Sequence, residues 1–175
     1  MSAGATGSRS LASFSSVSMF AYLLIGFATF LGNHAVEAAH SVTVQNYCGG
    51  GLPTLDRIPS NTIATGTGTV FTNDTILDIQ AFLNRGYCGP NGGNCTVVSF
   101  SLGQPDGSST AVINLVPNNY FSDAVSFSYY NACTGAGASC LDSDCTNAEH
   151  ITDNSLGAVN CAAASDSNRK VDCCK

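Results

Sequence analysis

The sequence predicts an all-β, antiparallel scaffold pinned by disulfides, with one short helix. Three observations point there. Residues 110–145 hold two β-like runs joined by Pro117, Asn118 and Asn119. The second run alternates, with Val125, Phe127 and Tyr129 on one face and Ser126, Ser128 and Tyr130 on the other, the pattern of a strand with one face in a core. All nine cysteines fall from Cys48 onward, a usage that suggests an oxidising destination. With 44% hydrophobic and 10% charged residues, the chain has the composition of a folded protein.

Residues 1–38 read as a signal peptide and residues 39–175 as one domain. The apolar run 19–32 (MFAYLLIGFATFLG) has signal-peptide length. It falls short of the roughly 20 residues that span a bilayer. Val36 and Ala38 supply the small residues at positions −3 and −1 of a cleavage site. After cleavage, five cations face eleven carboxylates, a net charge of −6 with no Lys/Arg cluster. Such a chain is a poor fit to nucleic acid or an anionic membrane. A monomer is expected.

Along the domain, 41–46 (SVTVQN) alternates as a first strand before Cys48, and Gly49, Gly50 and Gly51 impose a loop. The Thr/Gly-rich 60–72 predicts a short bent strand around 68–71. In 73–86, Ile76, Ile79, Phe82 and Leu83 recur at i, i+3, i+6 and i+7. That stripe predicts a helix capped by Asn73 or Asp74 and ended by Gly86, with a strand as the alternative. Cys88 and Cys95 enclose GPNGGN, a tight turn that a local disulfide would close. Strands are expected at 96–102 and 111–116, joined by a Pro-Asp-Gly turn, and then at 124–130, 157–161 and 169–174.

These residues resemble a known family. Asn46-Tyr47-Cys48 after a Val-Thr-Val strand is similar to the "NNC" start of thaumatin-like proteins. TVVSFSLGQPDGSSTAVINL and AVSFS resemble that family's central strands, CTNAEH its "CPDAFSY" and KVDCC its "VTFCP". The pattern NYCG…GYCG…NC…FSYYNACTGAGASCLDSDC is closer still to the short secreted "glycopeptide" thaumatin-like proteins of basidiomycete fungi. The resemblance implies a thaumatin-like antiparallel β-sandwich without the plant proteins' second domain. It also implies the pairs Cys48–Cys174, Cys88–Cys95, Cys133–Cys161 and Cys140–Cys145, which leave Cys173 over. Spacing alone does not choose among the 105 connectivities of eight cysteines.

Family members carry an acidic cleft, and some are described as binding or hydrolysing β-1,3-glucan. The cleft Glu falls here at Ser99 and the cleft Asp near Val112, so two of its most informative acidic positions are lost. Arg85 matches the cleft Arg, one residue out of register; the plainer reading is a surface charge at a helix C-terminus. Candidate ligand-contact residues are Arg85, Tyr130, Asp142 and Asp144. Tyr130 is the outward-facing tyrosine and the better of the tyrosines for stacking on sugar. DSDCTNAEHITD loosely mimics a calcium loop but lacks its turn glycine and contains Cys145, so a solvated acidic loop is favoured over a metal site. No Gly-x-Ser-x-Gly or His-Glu-x-x-His motif is present. No catalytic residue and no cofactor is therefore expected.

Asn73-Asp74-Thr75 and Asn94-Cys95-Thr96 are N-glycosylation sequons; Asn73, at the expected helix start, is expected to be exposed and usable, and Asn94, beside a bonded cysteine, is the less favourable site. The expected role is non-catalytic, at a cell wall or host boundary, with β-glucan or another wall polymer as ligand. The alternatives are a weak β-1,3-glucanase, requiring Asp123, Asp142 and Asp144 to converge on one groove, and a secreted effector or inhibitor that recognises a protein.

Overall fold

The computed structural model describes residues 39–59, 61–152, 157–162 and 167–175. The signal-peptide assignment, residues 1–38, lies outside them, as does Asp153 of the acidic loop.

The described residues form twelve strands in two sheets around one core. In chain order they are β1 (His40–Asn46), β2 (Leu52–Arg57), β3 (Asn61–Thr65), β4 (Thr69–Asn73), β5 (Ile76–Asn84) and β6 (Val97–Leu102). There follow β7 (Ser109–Asn114), β8 (Val125–Asn131), β9 (Gly137–Cys140), β10 (Ala148–Glu149), β11 (Val159–Cys161) and β12 (Ser167–Cys173). The first sheet runs β4-β1-β12-β8-β9; the second runs β10-β7-β6-β5-β2-β3, with β11 also on β7. No helix among the described residues is long and apolar enough to cross a membrane.

The period-2 strands stand where alternation places them. In β8, Val125, Phe127 and Tyr129 are buried and Ser126, Ser128 and Tyr130 half-buried. In β1, Val42 and Val44 enter the same core, facing Leu55, Ile79, Val98 and Ile113 from the other sheet. Pairing is antiparallel except at two places. β12 runs parallel to β1, with Val44 opposite Val171, and β10 runs parallel to β7. The antiparallel sandwich thus contains two parallel pairings among its described strands.

The predicted helix over 73–86 is also corrected: Ile76–Asn84 is strand β5, between β2 and β6. A β-bulge explains the helical spacing. The register against β6 shifts between Ile76 and Ile79, and Asp78 takes φ 55°. The extra residue lets Ile76 and Ile79 face the same core although three positions apart. Beyond the bulge the strand is buried on both faces. Ala81 and Leu83 join the core, while Phe82 packs beneath the 88–95 loop. A β-carbon on Gly92, at φ +72°, would stand 2.5 Å from Val97 and 2.9 Å from Phe82, so only glycine lets the loop lie this close. Among the described residues, the regular non-strand element is a 3₁₀ turn, Pro90–Gly92.

Four disulfides tie the ends down: Cys48–Cys174, Cys88–Cys95, Cys133–Cys161 and Cys140–Cys145. The first spans 126 residues and joins the end of β1 to the end of β12. Cys133–Cys161 links the turn after β8 to β11, and so one sheet to the other. Cys173 is a free thiol, 2% exposed.

Candidate functional site

The outer face of the second sheet carries a groove of about 400 Å³. Its floor is cross-strand: Ser99 of β6 stands opposite Val112 of β7, and Ser101 opposite Thr110. One wall is Ala158 and Asn160, brought in because β11 pairs with the start of β7. The other wall is Ile58 and Asp78, and the bulge in β5 raises it. There the Asp78 amide donates to Ser101 Oγ at 3.1 Å, and the Ile58 amide donates to the Asp78 carbonyl at 3.0 Å. The lining is hydroxyl, amide and apolar, Phe100 included, and among the described residues Asp78 is its single carboxylate. Asp56 lies in the same cross-strand row, opposite Gln80, which stands opposite Ser99. It is 6% exposed and accepts a hydrogen bond from Thr62 Oγ1 at 2.8 Å, outside the groove lining.

Ser99 and Val112, identified in the sequence as the places where cleft carboxylates are lost, are therefore neighbours in this groove. The other candidates are not in it. Arg85 and Asp123 form an ion pair at 2.8 Å beside Cys48–Cys174. Asp142 and Asp144 are exposed in the loop after β9, where Asp142 Oδ1 accepts from the Asp144 amide at 3.0 Å. The registers bring the ends of β1, β5, β9 and β12 to one end of the sandwich, so Arg85, Asp142 and Asp144 share that end. Tyr130 stands five residues along β8 from Val125, about 17 Å away at strand rise. Its hydroxyl donates to Ser41 Oγ at 2.8 Å, since the Ser41 hydroxyl donates to Asn168 Oδ1 at 3.0 Å. The four candidate ligand residues thus do not form one surface, and Asp123, Asp142 and Asp144 do not line the groove.

The end with Arg85 also carries Tyr47, Tyr87 and Tyr120, each more than half exposed. Asp123 is the carboxylate that, among the described residues, approaches two sulfur atoms, those of Cys48 and Cys174. Both are committed to their disulfide, and a thiolate pair is not on offer to a metal. Behind them the Cys173 thiol is pushed up to about 12 by burial, with Asp123 and Asp172 adding to the shift and Arg85 opposing it. Burial likewise raises Glu149, on β10.

Ser101, Thr110 and Asn160 were not singled out in the sequence. They are small polar residues on outward strand positions, and only the pairing of β11 with β7 makes them a wall and a floor.

No family model matches the chain, and no curated protein matches it. Similar solved structures include the thaumatin-like xylanase inhibitor TLXI, with 15% identity, TM-score 0.49, and 77% of this chain and 99% of that one covered. The protein elicitor MoHrip2 from Magnaporthe oryzae is another, with 12% identity, TM-score 0.49, and 78% and 99% covered.

Proposed function

We propose that the chain is a secreted thaumatin-like protein that binds a neutral wall polysaccharide, with β-glucan as the first candidate, in the groove over Ser99 and Val112, without cleaving it. The observation that carries this reading is the groove's lining. Hydroxyls from Ser99, Ser101 and Thr110 and the Asn160 amide offer donors and acceptors to a polyol, and Ile58 and Val112 offer apolar contact to sugar rings. Glycoside hydrolysis uses two carboxylates held about 5–10 Å apart across the scissile bond. Among the described residues, the groove lining includes one carboxylate, Asp78. The four disulfides and the apolar run at 19–32 support secretion.

The test is retention of the oxidised chain 39–175 on insoluble β-1,3-glucan and on chitin, with reducing sugar assayed in the same tubes. Retention without sugar release is expected, falling at least tenfold in Ser99→Tyr and Val112→Tyr, which fill the groove. Retention indifferent to both variants would move the site elsewhere. Sugar release lost in Asp78→Asn would make the protein a glucanase. No retention on either polymer would favour recognition of a protein through the end bearing Tyr47, Tyr87 and Tyr120.

A further inference from the structure

The two sequons differ sharply in what the fold does to them. Asn73 closes edge strand β4, and Asn73, Asp74 and Thr75 are all exposed. In the other sequon Asn94 is exposed, but Cys95 is 0% and Thr96 3% exposed. The Thr96 hydroxyl accepts from the backbone N–H groups of Ser122 at 2.8 Å and Asp123 at 3.2 Å, and the backbone N–H of Asn94 donates to the Asn118 carbonyl at 2.6 Å. The acceptor motif includes both the asparagine amide and the hydroxyl two residues on. One sequon presents both groups; the other locks its hydroxyl in the fold.

We infer that Asn73 carries an N-linked glycan and Asn94 stays bare, because closure of the 88–95 loop and its docking on residues 118–123 withdraw the second sequon. The inference rests on the secretion reading above. Closing Cys88–Cys95 spans only seven residues, a short loop that needs no distant part of the chain. The modification transfers an oligosaccharide from a lipid-linked pyrophosphate donor. The Asn73 Nδ2–C bond to the anomeric carbon forms, and the anomeric C–O bond to pyrophosphate breaks. Nδ2 gives up one proton, and the lipid pyrophosphate leaves with the bonding pair. No oxidant or reductant is required.

The glycan's position gives it a consequence for the groove. Asn73 lines a depression with Arg57, Thr75 and Leu77 that shares Ile58 and Asp78 with the groove. A glycan on Asn73 stands at that mouth and leaves the Asn160 side open.

The experiment expresses the full chain in a eukaryotic secretory host and measures the intact mass of protein recovered from the medium. Sites are mapped by an amidase that converts each glycan-bearing asparagine to aspartate. One glycan is expected, mapped to Asn73, lost in Thr75→Ala and unchanged in Asn94→Asp, which keeps Thr96 and its hydrogen bonds. Cys88→Ser with Cys95→Ser should add a second glycan at Asn94; failure to add one overturns loop closure as the cause. Protein secreted at bare mass, or with Asn94 occupied in the wild type, overturns the inference alone. Protein retained in the cell and unmodified overturns the secretion reading together with it.

Discussion

The guanidinium carbon of Arg169 lies 3.5 Å from the centroid of the Tyr129 ring, in the middle of the sandwich. The two residues are direct cross-strand partners on β12 and β8. Arg169 is 0% exposed, with Phe127 at 4.9 Å and Phe100 at 5.9 Å from the same carbon, and its nitrogens have no hydrogen-bond partner among the described residues. Burial lowers its pKa to about 10, opposed by Tyr129. The Tyr129 hydroxyl donates to the Ser109 and Val159 carbonyls, so the ring that carries the cation is itself anchored to β7 and β11.

Aromatic faces compensate a cation only in part when the desolvation cost is large. Arg169→Met, which keeps the volume and removes the charge, is expected to be neutral or stabilising by up to about 3 kcal/mol. Arg169→Ala is expected to cost about 2–4 kcal/mol through the cavity left among the three rings. Denaturant unfolding of both variants checks this. Equal losses would mean that the cation itself holds the core.

Cys173 makes stability depend on alkaline pH. Its folded pKa is raised from 9.0 to about 12, chiefly by burial. The folded state then holds the thiol proton that the unfolded state releases. Its contribution is complete below pH 9 and is lost as pH rises toward 12. Between pH 9 and pH 10 the loss is expected to be about 1 kcal/mol, and Cys173→Ala should flatten that slope. Comparing denaturant midpoints of the two proteins across that interval measures it. In native protein at pH 8 the thiol should also resist alkylation and become reactive on unfolding.

The disulfides should not be equal. In the chain-entropy estimate, the 126-residue closure by Cys48–Cys174 stabilises by about 5 kcal/mol, and the 5-residue closure by Cys140–Cys145 by about 2 kcal/mol. Double alanine variants of each pair, compared by thermal unfolding, should keep that order. The reverse order would assign the main role to the loop after β9.

The Arg85 ion pair should matter for stability through its carboxylate. The Arg85 side chain is 32% exposed but that of Asp123 only 9%, and Asp123 Oδ2 has no hydrogen-bond partner among the described residues, so Arg85→Ala strands a mostly buried charge and is expected to cost about 1–3 kcal/mol by denaturant unfolding. Retention on glucan should be unchanged in Asp142→Asn with Asp144→Asn, because neither lines the groove. Lost retention in that double variant would place the ligand at the tyrosine-bearing end.

What the sequence determined was whatever depends on near neighbours along the chain. Alternation from Val125 to Tyr130 assigned a strand and its inward face, and Pro105-Asp106-Gly107 assigned the turn between β6 and β7. The same local rules took Ile76, Ile79, Phe82 and Leu83 for a helical stripe. A bulge at Asp78 and burial on both faces of β5 reproduce that spacing in a strand, and both are properties of the neighbouring strands. Only the tertiary structure decided that Ser99 faces Val112, that β11 walls the groove with Asn160, and that Tyr130 stands apart from Arg85. It also decided that an arginine at the inward position of β12 is buried among three aromatic rings. Each of these is a matter of strand order and register, set by which faces bury together, and residues far apart in the chain carry no local mark of it.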